Sequence, residues 1–127
     1  ECGGDGNTAT VVQAIAQALG RRGIDAQAVN PWRFLTVEAY RALLESQGFL
    51  VHTLALLPRP TPLLGSLEGW LETFAQSFLA PLPVTERSAF LTEIADVCRP
   101  TLCDTQGRWT VDYVRLRFAA TRPATVA

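Results

Sequence analysis

The groups in this chain best able to meet a ligand lie near its end, in Trp109 to Ala120, which reads Trp-Thr-Val-Asp-Tyr-Val-Arg-Leu-Arg-Phe-Ala-Ala. Taken as a strand, one side carries Thr110, Asp112, Val114, Leu116 and Phe118. The other carries Trp109, Val111, Tyr113, Arg115 and Arg117. A guanidinium in a central strand must be paired or reach a polar cleft. In a cleft, Arg115, or Arg59 from earlier in the chain, is suited to clamp a carboxylate, because the planar fork can meet both oxygens. The competing arrangement is an internal ion pair of Arg115 or Arg117 with Asp112 or Glu1. Tyr113 shares the face of Arg115 and is a candidate beside it.

Three aromatic residues are candidates of a second kind. Trp32 and Phe34 belong to the loop Asn30-Pro-Trp-Arg-Phe34, where a large ring has less structural reason to be. Trp70 lies on the apolar stripe of an amphipathic helix, either over a ligand or simply in the core. Asn7 either faces a site or caps a helix, and capping is the expectation. His52 is the sole histidine. It falls within an apolar run and is expected to be a satisfied core residue rather than a base. No Ser-His-Asp or Cys-His arrangement can be assembled from the spacing, so a hydrolase is not supported.

The three cysteines, Cys2, Cys98 and Cys103, are too few for a disulfide framework. With a single histidine they cannot complete a zinc site. Buried thiols in a cytoplasmic protein are expected. A length of 127 residues allows one domain with its own core. The hydrophobic share of 48% and net charge of −1 indicate a globular chain with no basic excess to attract nucleic acid. Every cation is arginine. No apolar run approaches the roughly twenty residues that span a bilayer, so no membrane partner is expected. The chain contains no methionine and opens in a glycine-rich turn, which reads as a piece of something longer.

These groups are positioned by a mixture of helices and two strands. Val11, Val12, Ile15 and Leu19 predict a helix capped by Asn7 or Thr8 and closed at Gly23. Thr36 caps a second, with Tyr40, Leu43 and Leu44 inward and Gly48 as its stop. Phe49 to Leu57 is an almost unbroken apolar run, expected to be a strand covered on both faces and ended by Pro58, Pro60 and Pro62. Ser66 caps a helix with Leu67, Trp70, Leu71, Phe74 and Phe78 inward, ended by Pro81 and Pro83. Another runs from about Thr85 to Arg99, with Phe90, Leu91, Ile94, Val97 and Cys98 inward and Pro100 as its stop. Asp104 to Gly107 is a turn. The strand at 109–120 then reads as central, and the tail after Arg122 as loose.

Three stretches, taken together and in order, resemble the C-terminal half of a class I S-adenosylmethionine-dependent methyltransferase. They are Glu-Cys-Gly-Gly-Asp-Gly-Asn at 1–7, Asn-Pro-Trp-Arg-Phe at 30–34 with Tyr40, Leu44 and Gly48-Phe49 after it, and Asp-Tyr-Val-Arg-Leu-Arg-Phe at 112–118. The nearest branch is that of trans-aconitate methyltransferase-like, small-molecule enzymes. The resemblance implies an α/β fold, the C-terminal portion of a Rossmann-like sheet. Glu1 and Cys2 would end its fifth strand, Phe49 to Leu57 would be the sixth, and the last strand would run antiparallel between them. Residues 63–106 would form a helical lid insertion within the single domain 1–127.

The resemblance also implies S-adenosylmethionine as cofactor of a parent enzyme, and a small-molecule substrate, by the branch a carboxylate. The family's cofactor loop follows its first strand, so Gly3-Gly4-Asp5-Gly6 is not that loop. The N-terminal cofactor-binding half is absent from this stretch, and the chain alone is expected to be inactive. Substrate-binding candidates are thus Trp32, Phe34, Arg59, Trp70, Tyr113 and Arg115. A rival reading from another class is a non-catalytic module. Its exposed sheet edge would invite a homodimer, a strand-swapped dimer or another partner.

Overall fold

The computed structural model describes residues 1–125. Its elements are, in order, β1 (Cys2–Gly3), α1 (Ala9–Gly20), α2 (Ala26–Val29), α3 (Val37–Ser46), β2 (Leu50–Pro62), α4 (Leu67–Phe74), α5 (Gln76–Leu79), α6 (Val84–Leu102) and β3 (Thr110–Thr121). The fold is α/β. Of the tail expected to be loose, Val126 and Ala127 lie outside the described residues, while 122–125 are exposed and irregular.

The sheet has the order β1-β3-β2, so the last strand is central, as its mixed pattern predicts. It runs antiparallel to β1, with Cys2 opposite Leu116 and Gly3 opposite Arg115. It also runs antiparallel to β2. The Leu63 amide donates to the Trp109 carbonyl (2.9 Å), and at the far end His52 meets Thr121. Beyond β1, Gly4 forms an isolated parallel bridge with Leu35.

The prolines do not end β2; they are its last residues. Alternate residues of a strand direct their amides to the same side. Leu63 points its amide at β3, so positions 58, 60 and 62 point away from it. Because β2 is an edge strand, that side carries no ladder, and a proline there loses no bond.

The chain divides into two compact units. One comprises Glu1–Asn7, Arg33–Arg59 and the residues from Tyr113 on; the other comprises Thr8–Trp32 and Pro60–Asp112. Among the described residues of the first unit, α3 is the helix that accompanies the strands. Strand β2 has no buried residue, against the expectation for its apolar run, and Leu50 is 57% exposed. None of Tyr40, Leu43 and Leu44 on α3 is fully buried either. His52 is exposed, not a core residue, and its Nε2 lies 2.9 Å from the Thr121 hydroxyl.

The second unit holds the main core. Val11, Ala14, Ile15, Ala18 and Leu19 of α1 are buried, as are Phe90, Leu91, Ile94, Ala95, Cys98 and Leu102 of α6. The two helices pack together, and α4 also packs on α6. Their rim is tied by Arg21 and Arg22 to Glu93, the second pair at 2.7 Å. Arg22 also covers the Phe90 ring, 5.1 Å from its centre.

Three expectations fail here for local reasons. The helix expected to follow Ser66 breaks at Ala75 into α4 and α5, so Phe78 turns inward while Phe74 is 56% exposed. Val97 lies beside, not on, the α6 stripe through Ile94, Ala95 and Cys98, and is exposed. Pro100 does not stop α6. It sits in the last turn, where few amide bonds remain to be lost, and the Cys103 amide closes the helix on the Arg99 carbonyl. The four-residue α2, capped by Asp25, is not signalled by any periodicity.

The start of α1 differs most. Thr8 occupies the cap position in a left-handed backbone conformation (φ 50°), yet its side chain makes no cap bond. Asn7 does not cap either. The acceptor is Asp112 of β3, whose Oδ2 takes the Thr10 amide (3.1 Å) and the Thr10 hydroxyl (2.7 Å). A carboxylate is the stronger acceptor and suits the positive end of the helix. The Thr8 amide adds a bond to the Asp112 carbonyl (2.9 Å). Replacing Asp112 by alanine should lower stability by about 1–2 kcal/mol, the cost of a lost cap. Thr10→Val should lose about half of that, since the amide keeps its acceptor. Urea unfolding of both variants checks the order; equal losses would contradict it.

Candidate functional site

In the first unit, the glycine loop is shaped by close packing. A Cβ on Gly3 would lie 2.8 Å from Asn7 Nδ2 and 2.9 Å from the Phe34 ring. One on Gly4 would lie 2.3 Å from Leu56 Cδ2 and 2.9 Å from Leu116 Cβ. Gly6 has a positive φ (82°), which only glycine adopts cheaply. The loop's amides are engaged internally: Gly4 donates to the Val114 carbonyl (3.0 Å), Asp5 to Leu35 (2.9 Å) and Asn7 back to Gly4 (2.9 Å). These three amides are therefore spent on the fold rather than offered to a phosphate or a cofactor.

Asn7 has a role the sequence did not disclose. Its side-chain oxygen accepts the Val114 amide (2.8 Å), where β1 has already turned away from β3. The side chain thus continues the ladder for one more bond. An asparagine just after a glycine-rich bend is the kind of signal that could have suggested this.

Charge in this unit gathers at Glu1. Arg115 Nε lies 3.1 Å from one carboxylate oxygen and Arg117 Nε 3.6 Å from the other. The hydrogen bond from Arg115, aided by the charges of Arg115, Arg59 and Arg117, holds the Glu1 carboxyl below the usual carboxylate range. The internal pair weighed against a ligand clamp is therefore present, with Glu1 rather than Asp112 as acid. Tyr113 lies half-buried on the same strand face as Arg115. The Tyr40 ring sits 5.1 Å from Phe118, and burial, with Cys2 beside it, raises its phenol above the usual value.

The second unit brings Trp32 and Trp70 together. Their ring centres are 6.1 Å apart, edge to face, with Phe78 5.2 Å from Trp32 and Phe74 5.4 Å from Trp70. Against this cluster lies a groove of about 460 Å³, lined by residues of the β2–α4 turn and by Gly69, Trp70, Thr73 and Phe74 of α4. Ser66 shapes the turn by capping α4, its hydroxyl accepting the Gly69 amide (3.1 Å). Of the six site residues expected from sequence, then, Trp32 and Trp70 form one cluster. Phe34, Arg59, Tyr113 and Arg115 belong to the other unit.

Among the described residues no group of three or more His, Cys, Asp and Glu side chains could hold a metal ion. No helix among them is long and apolar enough to cross a membrane. Cys98 is buried, while Cys2 and Cys103 are only partly so, which corrects the expectation that all three thiols are buried.

The chain resembles a known protein over almost its whole length. It is 35% identical over 123 residues to a protein of Schizosaccharomyces pombe (strain 972) named as an uncharacterized methyltransferase. The alignment covers 94% of this chain and 47% of that protein, so the chain spans about half the length of the curated relative it matches. No protein-family model matches the chain.

Cys98 yields a testable consequence. Burial, with the Asp112 charge nearby, pushes its thiol up to about 11 from 9.0. The folded state thus favours the protonated thiol, a contribution complete below the unfolded value and lost as pH rises from 9.0 through about 11. At pH 8, an electrophile such as iodoacetamide should label Cys2 and Cys103 and leave Cys98 unmodified until the chain is unfolded. Peptide mass mapping checks this, and early labelling of Cys98 in the folded chain would refute it.

Proposed function

We propose that this chain is the acceptor-side half of an S-adenosylmethionine-dependent methyltransferase acting on a small molecule. The likeness to the Schizosaccharomyces pombe methyltransferase across 94% of the chain carries the reading. The central antiparallel strand, flanked by β1 and β2, accords with the arrangement the class I resemblance implies.

Methyl transfer from a sulfonium asks little of a protein in proton chemistry. It needs an acceptor held in line and a site that excludes water. The chain offers apolar helices, α4 to α6, and an indole cluster suited to the second task. For the first it offers Arg115, with Arg59 a second candidate guanidinium of the same unit. An acidic acceptor could take the place of Glu1 on Arg115, exchanging one carboxylate for another. No step is assigned to the Gly3–Gly6 loop, whose Gly4 and Asp5 amides are already bonded within the fold. In this reading the donor is held by the rest of the whole protein. His52, exposed and bonded to Thr121, is not assigned as a base.

Two measurements test this. Calorimetry with S-adenosylmethionine should show binding to the whole protein and none to residues 1–127 alone; a whole protein that gives no heat would overturn the reading. In the whole enzyme, Arg115→Ala should raise the Michaelis constant for an acidic acceptor about tenfold or more with kcat little changed. Lost folding with unchanged kinetics in the surviving protein would leave Arg115 only its pair with Glu1.

A further inference from the structure

We infer that the groove beside Trp70 is a binding subsite for an uncharged, apolar group of a small-molecule ligand. The inference rests on the transferase reading for its biological setting, but the subsite itself rests on geometry and charge. The groove is lined by Pro62, Leu63, Leu64, Gly65, Ser66, Gly69, Trp70, Thr73 and Phe74. Not one of these carries an ionisable side chain, in a chain that is 18% charged.

The two hydroxyls that line it each make a bond within α4 and its cap. The Ser66 hydroxyl accepts the Gly69 amide (3.1 Å), and the Thr73 hydroxyl donates to the Gly69 carbonyl (3.0 Å). Occupying the groove with a charged ligand would strip its water and return no counter-charge. A neutral apolar group loses little water and gains the ring faces and edges. The volume, about 460 Å³, is that of a small-molecule site.

Two further features fit an occupant. Leu64 is wholly exposed and Phe74 more than half so, on the groove's own lining. Such side chains leave much apolar surface in water unless something covers them. The wall behind them is nonetheless held in place, since Trp70 is seated between Trp32 and Phe74, and Trp32 against the buried Phe78. A pre-formed aromatic wall costs a ligand little ordering.

Gly69 gives a clean way to close the groove. A Cβ there meets only Ser66 Oγ, at an ordinary 3.5 Å, so a side chain can be added without a clash at its root. Replacing a glycine within the first turn of α4 also favours the helix. Gly20, at the end of α1, has nothing within 4 Å of an added Cβ and serves as the control. The probe is the neutral fluorophore N-phenylnaphthylamine, excited by energy transfer from the tryptophans, with anionic anilinonaphthalene sulfonate as its charged counterpart.

The chain should bind the neutral probe more tightly than the sulfonate. Gly69→Leu should weaken neutral binding about tenfold or more while the melting temperature holds or rises. Gly20→Leu should leave binding unchanged. Absent binding, equal loss in both variants, or preference for the sulfonate would each overturn the inference. Donor calorimetry on the whole protein is separate: if it fails while the probe result stands, the transferase reading falls and the apolar subsite remains.

Discussion

Strand β3 needs hydrogen-bond partners on its β1 side for longer than β1 lasts. The two-residue β1 reaches only Leu116 and Arg115 before the chain bends away. From there a relay of substitutes completes the ladder. The Gly4 amide takes the Val114 carbonyl, the Asn7 side chain takes the Val114 amide, and the Thr8 amide takes the Asp112 carbonyl. Each bond satisfies a backbone group that would be costly to leave unpaired. The relay then passes into α1 through the Asp112 carboxylate on Thr10. The glycines at 3 and 4 answer to this constraint, because the bend must press backbone against Phe34, Leu56 and Leu116, and Gly6 supplies the positive φ of the bend.

Much of this fold was legible in the sequence where one residue type dictates one outcome. Ser66 and Thr36 cap their helices through their own hydroxyls, and Gly23 and Gly107 turn the chain with positive φ. The mixed faces of residues 109–120 foretold a central strand. Long-range substitution was not legible. Asn7 and Thr8 have the local chemistry of caps, and nothing near them in sequence reveals that an aspartate a hundred residues on does that work. The prolines of β2 misled for a related reason: whether proline breaks a strand depends on which side has a neighbour, a property of the sheet and not of the segment.

The candidate site shows the same division. Residue types that could bind something were recognisable singly, but their partners were not. Arg115 turned out beside Glu1, an alternative the charges allowed. Trp32 and Trp70 turned out to support one another, which neither the loop nor the helix stripe disclosed. The Gly69 side of the groove had no signature, since a glycine in a helix is read as a weakness until the space beside it is seen.

The prolines of β2 carry one more consequence. A strand seeking to extend a sheet needs donors and acceptors in alternation. Along Leu50 to Leu57 the outer side of β2 keeps both, whereas at Pro58, Pro60 and Pro62 it presents carbonyls alone. The edge is therefore zoned. Its greasy first half can be zipped by another strand, and its second half refuses every incoming carbonyl, so pairing begun at one end cannot run the full length. Such a stop limits how far misassembly can propagate along the most apolar segment the chain exposes.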